Sequence, residues 1–221
     1  MKKFIILFFM GFCISAYAQV DRDQLSLDIS KADAANTEKL KAFIWKRASV
    51  ALVDGQEKLT TLTEFSFNEK GEIQTKNIDA KTTVKQKPGI RGAIQKNAAE
   101  ESLDYVAKAL DLSLGYAFMT KGQLIDFFGK AEITEKDGII TATAKDVQVK
   151  GDVVTLKIES STKLFIEKSF SSLLGKDAIS GAFQYAKFSS GISHGTTSVL
   201  NLPAKKAVIK SENKDYSQRV Q

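Results

Sequence analysis

The 221 residues hold one imidazole, His194, and one thiol, Cys13. An imidazole can serve as general base for a hydroxyl nucleophile, and Ser189, Ser190 and Ser193 stand close to His194 in the chain. Such a nucleophile needs a strained elbow to present its oxygen and an acid to orient the base. The stretch Ser189-Ser190-Gly191-Ile192-Ser193-His194-Gly195 contains no G-x-S-x-G and reads instead as a hairpin turn. One histidine excludes metal sites built on two or more imidazoles. No run has the spaced Asp and Asn pattern of a calcium loop, and Asp21-Arg22-Asp23 reads as a solvated N-terminus. Paired carboxylates for glycoside hydrolysis need only proximity in space. Glu64, Glu72, Glu159 and Glu167 fall on strand-like segments, where Glu alternating with Lys is what a solvated sheet face shows anyway. Gly89, Gly92 and Gly115 are isolated and make no phosphate-binding loop. The expectation is a non-enzymatic protein with no catalytic residue, no metal and no cofactor.

The residues that ask for an explanation are apolar. Leu124-Ile125-Asp126-Phe127-Phe128 is apolar on nearly every side, and Met119 adds an adaptable side chain just before it. Such a segment is buried on several sides or faces an apolar ligand. The candidate ligand-binding set is therefore Leu124, Ile125, Phe127 and Phe128, set against the sheet aromatics Phe65, Phe67, Phe183 and Tyr185. A lining role for Phe127 predicts that its truncation to Ala costs less than about 2 kcal/mol, against roughly 3–5 kcal/mol for ordinary core.

Hydrophobic periodicity supplies the elements that would position these residues. The polar, Ala-rich stretch from Arg22 to Phe43 carries a capping signal at Asn36-Thr37-Glu38, which predicts a short helix leading into a strand. From Ile44 to Ile78 the period is two, broken at Asp54-Gly55 and at Glu69-Lys70-Gly71, which predicts a three-stranded meander. Lys81 to Arg91, with Pro88-Gly89, reads as a surface loop. Between Glu100 and Phe118 the period becomes helical, with Leu103, Val106, Ala107, Leu110, Leu114 and Ala117 on one stripe. Thr120 to Gln123 fits a capping box for a second helix that ends near Gly129.

Alternation returns at Ile139 to Ala144 and again after Gly151-Asp152 in Val154, Leu156 and Ile158. After a turn at Ser160-Ser161-Thr162, Leu164 and Ile166 alternate in one strand, and Phe183 and Tyr185 in the next. Val199 and Ala207 to Ile209 mark the last two strands, and the tail from Glu212 is expected to leave the core. The order predicts an α+β fold: one strongly curved antiparallel sheet, a half-open β-barrel, with the helical pair in its concave face. A flat open sandwich is the alternative.

Lys2 and Lys3, the apolar run Phe4 to Phe12 and the small-residue pattern Ala16-Tyr17-Ala18 read as a signal peptide over residues 1–18. The apolar run is too short to span a bilayer as a helix. The mature chain would begin at Gln19 and form one domain over 19–221, in the periplasm or outside the cell, with no transmembrane segment. Cys13 would be the acylated first residue of a lipoprotein on the other reading, which Phe12 immediately before it disfavours. With Cys13 removed, neither a disulfide nor a thiolate metal site can form. The formal net charge of +6 includes Lys2 and Lys3. The remaining basic residues are scattered, so no nucleic-acid partner is expected.

The segments Phe43-Ile44-Trp45-Lys46-Arg47 leading to Asp54-Gly55, Gly89-Ile90-Arg91-Gly92-Ala93-Ile94, and Leu200-Asn201-Leu202-Pro203 followed by Glu212-Asn213 and Tyr216 carry a resemblance. In them the chain resembles a group of exported bacterial proteins and, in architecture, the LolA/LolB-type lipoprotein carriers. That resemblance implies a half-open barrel with helices as a lid over an apolar cavity that receives acyl chains. It also implies an arginine that holds the lid, for which Arg47 and Arg91 are candidates by type. Two functions follow: a periplasmic binding or carrier protein for a lipid or other apolar ligand, or an envelope interaction protein with a fully packed interior that offers a sheet edge to a protein partner.

Overall fold

A computed structural model describes residues 21–82 and 90–219, with the side chains at 82–101 and 103 outside it. The expected signal peptide, Cys13, most of the expected Lys81 to Arg91 loop and the side chain of Arg91 lie outside the described residues.

The first helix, α1 (Arg22–Leu40), is longer than the sequence suggests. Its cap is Asp21, whose carboxylate accepts from the N–H groups of Asp23 and Gln24 at 3.1 Å each. The expected solvated N-terminus at Asp21 is thus a helix start, and Asn36 lies inside the helix. The signal was weak because α1 buries a narrow stripe, Leu25, Ser26, Ile29 and Ser30, half of it serine.

Strands β1 (Phe43–Val53), β2 (Gln56–Phe67) and β3 (Ile73–Thr82) form the expected meander. Asp54 and Gly55 both take positive φ, 50° and 75°, as the two-residue turn that matches strand twist requires. Then come α2 (Ile90–Ala117) and α3 (Lys121–Lys130), the latter opened by the capping box of Thr120 and Gln123. A seven-strand meander follows: β4 (Glu132–Lys136), β5 (Ile139–Lys145), β6 (Val153–Glu159), β7 (Phe165–Leu174), β8 (Asp177–Lys187), β9 (Ser193–Leu202) and β10 (Ala207–Gln218). Sequence periodicity missed β4, whose five residues hold one apolar side chain, Ile133.

All ten strands form one open antiparallel sheet in the order β3-β2-β1-β10-β9-β8-β7-β6-β5-β4. The last strand inserts between the first and the ninth, which joins the two meanders into one sheet. Consequently the expected free tail is ladder: Asn213 pairs with Arg47, and Gln218 with Phe43.

The helices cover one face. In β6, Val154, Leu156 and Ile158 are buried and their neighbours half-buried, the alternation of a strand packed on one side. α3 packs on α1 and β5, and α2 lies closest to β7 and β8. Where α2 meets β7, the hydroxyl of Tyr116 donates to Asp152 at 2.6 Å, with Ser172 Oγ 2.9 Å away. Asp152 also accepts from the N–H groups of Val147, Gln148 and Val149. Burial pushes its carboxyl up, and these hydrogen bonds outweigh burial and hold it below the ordinary value.

Candidate functional site

The interior is not filled. A cavity of about 490 Å³ lies between α1, the junction of α2 with α3, and the sheet. Its walls include Ser30, Asp33 and Thr37 from α1, Ala117, Phe118, Met119 and Leu124 from the junction, and Trp45, Arg47, Phe67, Lys168, Phe183, Tyr185 and Tyr216 from the strands. A second cavity of about 310 Å³ lies between Val106, Leu110 and Leu114 of α2 and sheet residues including Ala51, Leu59, Phe65, Leu200 and Ile209. Arg47 and Phe183 line both.

Three β-bulges build the larger cavity. Ile158 pairs with Phe165 but Lys157 with Glu167, so β7 carries one extra residue there and both Phe165 and Lys168 turn inward. Between the pairs Phe183–Ser198 and Tyr185–Gly195, β9 carries the extra residue, which puts Gly195 and Ser193 on the wall. In β10 the shift falls between Lys214 and Ser217, where Asp215 takes φ 53° and Tyr216 is re-aimed into the cavity. Bulges that re-aim side chains are common beside functional sites. The expectation that Leu164 and Ile166 alternate in this strand fails for this reason: the residues buried on β7 are Phe165, Lys168, Phe170 and Ser172.

Around Trp45 the wall is aromatic, with Tyr216 and Phe65 stacked on it at 5.4 and 5.8 Å and Phe67 at 5.6 Å. Set into this wall are charges. The guanidinium of Arg47 lies 4.3 Å over the Phe65 ring, and its Nε donates to Asn213 Oδ1 at 2.8 Å. Lys168 is 4% exposed; its Nζ donates to the last carbonyl of α2, Ala117 O, at 2.8 Å and lies 3.9 Å over the Phe165 ring. A cation at a helix C-terminus is favoured by the exposed carbonyls there. Burial lowers the pKa of Lys168, opposed by the charge of Asp33, and burial raises that of Asp33, opposed by Lys168. The side chains of Tyr185 and Tyr216 are pushed up mainly by burial.

Of the eight expected lining residues, Phe67, Leu124, Phe183 and Tyr185 face the larger cavity, and Phe65 and Phe183 the smaller. The others are placed elsewhere. Phe127 and Phe128 are fully buried, edge-to-face at 5.1 Å in the main core, and line neither cavity. Ile125 points outward, 37% exposed. The helix is amphipathic in the ordinary way, with its aromatic side spent on packing against α1 and β5.

Sequence reasoning missed Trp45, Asp33, Lys168 and Tyr216. A lone tryptophan within the Phe43 to Arg47 run was a signal; a strand lysine is indistinguishable from solvent-facing ones until the bulge is known. Arg47 was a candidate for holding a helical lid, yet its hydrogen bond stays within the sheet, to Asn213. His194 lies at the cavity wall, stacked on Phe188 at 4.0 Å, with Nδ1 3.2 Å from Gly195 O. Its neighbour Ser193 is tied through its backbone to Asn36. Among the described residues no three His, Cys, Asp or Glu side chains gather as a metal would require. Nor is any helix there long and apolar enough to cross a membrane.

No protein-family profile matches the chain, and no curated protein is similar to it in sequence. Solved structures are. The chain is similar to a DUF1329-family protein from Desulfovibrio piger, at 10% identity over 90% of this chain and 92% of that one, TM-score 0.41. It is similar to a domain from Vibrio parahaemolyticus provisionally assigned to outer membrane lipoprotein sorting, at 9% identity over 88% and 92%, TM-score 0.42. A LolA-superfamily protein from Nitrosomonas europaea is alike at 13% identity over 89% and 94%, TM-score 0.40. The LolA-like resemblance is loose, and likeness at this level says nothing about a ligand. Function has to be read from the cavities.

Proposed function

We propose that the protein, exported by its first 18 residues, is a non-enzymatic binding or carrier protein for a lipid or other apolar ligand, which it holds in the larger cavity together with the smaller one beneath α2. The observation that carries this reading is the pair of adjoining cavities whose walls combine aromatic and aliphatic side chains with polar ones, each within the roughly 300–1,000 Å³ typical of small-molecule sites. The two cavities favour this reading over the interaction-protein alternative, which needs a fully packed interior.

Trp45 is the only tryptophan and stands in the cavity wall, so its emission reports occupancy. Titration with a bromine-substituted octadecanol is expected to quench it saturably, and native mass spectrometry of gently extracted protein is expected to find a bound lipid. An unquenched Trp45 and an empty chain that travels with a protein partner would put the interaction reading first. The export part has its own test: intact mass is expected to place the N-terminus at Gln19, and acylated Cys13 as first residue would overturn it.

A further inference from the structure

The charges in the larger cavity have no counterpart in a purely apolar ligand. Arg47 has five N–H donors, and among the described residues one of them, Nε, has a protein acceptor, Asn213. No carboxylate of the described residues forms an ion pair with Arg47 or with Lys168. Asp33, the one acid deep in the wall, is an ion-pair partner of neither, while Glu38 and Glu72, toward the rim, are engaged by Lys41 and Asn68.

Two residues of the wall also carry a buried polar atom without a partner, Ser30 Oγ and Trp45 Nε1, each closed off from the cavity itself. A buried donor without an acceptor is costly, and a buried cation more so. The cavity thus presents the unspent donors of Arg47 and an excess of positive charge to whatever fills it. Next door the character changes: beyond Arg47 and Phe183 the second cavity is walled by aliphatic side chains such as Leu59, Leu110, Leu114 and Ile209 together with Ser and Thr hydroxyls, and its one carboxylate is that of Asp111.

We infer that the ligand is an anionic amphiphile whose oxyanion head, a carboxylate or a phosphate, sits against the Arg47 guanidinium beside Trp45, while its chain passes Phe183 into the less charged cavity under α2. This rests on the apolar-ligand reading and narrows it. A planar guanidinium with unused donors matches a carboxylate or phosphate in both charge and geometry. Stacking on Phe65 and the bond to Asn213 hold it in place before the ligand arrives, which lowers the ordering cost of binding.

Quenching of Trp45 by three bromine-substituted chains of equal length tests this on the whole mature chain at pH 8: octadecanol, octadecanoic acid and octadecyl phosphate. The acid or the phosphate is expected to bind about tenfold or more tighter than the alcohol, as a charge-assisted hydrogen bond in a buried site allows. The tighter of the two identifies the head group. Arg47→Gln is expected to shrink that preference to within about threefold. Equal binding of all three chains would overturn the head-group inference and leave the apolar-ligand reading standing. No quenching by any of them would overturn both. The comparison of chains on the wild-type protein needs no variant, so a misfolded Arg47→Gln cannot hide the answer.

Discussion

At the scale of single residues, burial decides which expectations change. Phe127 makes its contacts in packed core with no exposure, so Phe127→Ala is expected to cost about 3–5 kcal/mol rather than the small loss a lining role implies. Denaturant unfolding of the pair of proteins measures it. His194 shows the electrostatic counterpart. Burial between Phe188 and Tyr216 lowers its pKa, with the Gly195 carbonyl opposing, so the folded state prefers the neutral ring. The unfolded chain protonates first as pH falls, starting near the ordinary value of about 6.5. Stability from this group is therefore complete above that value and is lost as pH falls toward the lowered folded pKa. Unfolding midpoints should decline from pH 7.5 to pH 5.5, and His194→Phe should flatten that decline; an unchanged slope would assign it to other groups.

At the scale of elements, Asn36 ties α1 to the sheet, a role the sequence, which marks it as a helix cap, did not assign it. Asn36 Nδ2 donates to Ser193 O at 2.9 Å and Asn36 Oδ1 accepts from Ser193 N at 2.7 Å, a two-way bond that fixes the helix against the start of β9. Asn36→Ala leaves both backbone groups without that partner, at a cost of about 1–3 kcal/mol. Because α1 forms one wall of the larger cavity, hydrogen exchange along Arg22–Leu40 should rise more than in β6, and ligand affinity should fall with it. Uniform exchange change across the chain would mean that Asn36 acts on global stability alone. The capping box of α3 and the Asp54-Gly55 turn were legible beforehand because each is a contract between near neighbours. Asn36 and Ser193 lie 157 positions apart.

At the scale of the whole molecule, β10 is the closing piece. It supplies the ladder partner of β1 over most of that strand's length and carries Asn213 and Tyr216 to the cavity. Deleting residues 212–221 is expected to lower the unfolding temperature by about 8–16 °C, since a loss near 4 kcal/mol shifts a domain of this size by roughly 2–4 °C per kcal/mol. It should also expose Trp45 and red-shift its emission, because Tyr216 covers that ring. A truncated protein that melts and fluoresces like the full chain would mean that the segment is the free tail its polar sequence suggests.

Local physics sufficed for much of this fold. Period-two and period-3.6 patterns, the turn glycine at 55 and the Thr120 cap follow from backbone sterics and nearest-neighbour hydrogen bonds, so they stand in the sequence and yield the α+β order of elements. They also marked Phe65, Phe67, Phe183 and Tyr185 as inward-facing strand aromatics, which is where they lie. The site itself was decided elsewhere. A bulge exists only as a mismatch between two strands, so the turning of Lys168 toward the interior depends on its pairing with β6, and that of Tyr216 on β1, at the other end of the chain. Whether an apolar side chain is core or wall likewise depends on what packs opposite: α1 and β5 took Phe127 and Phe128 for the core, and the space left over, beside Trp45 and Arg47, became the cavity.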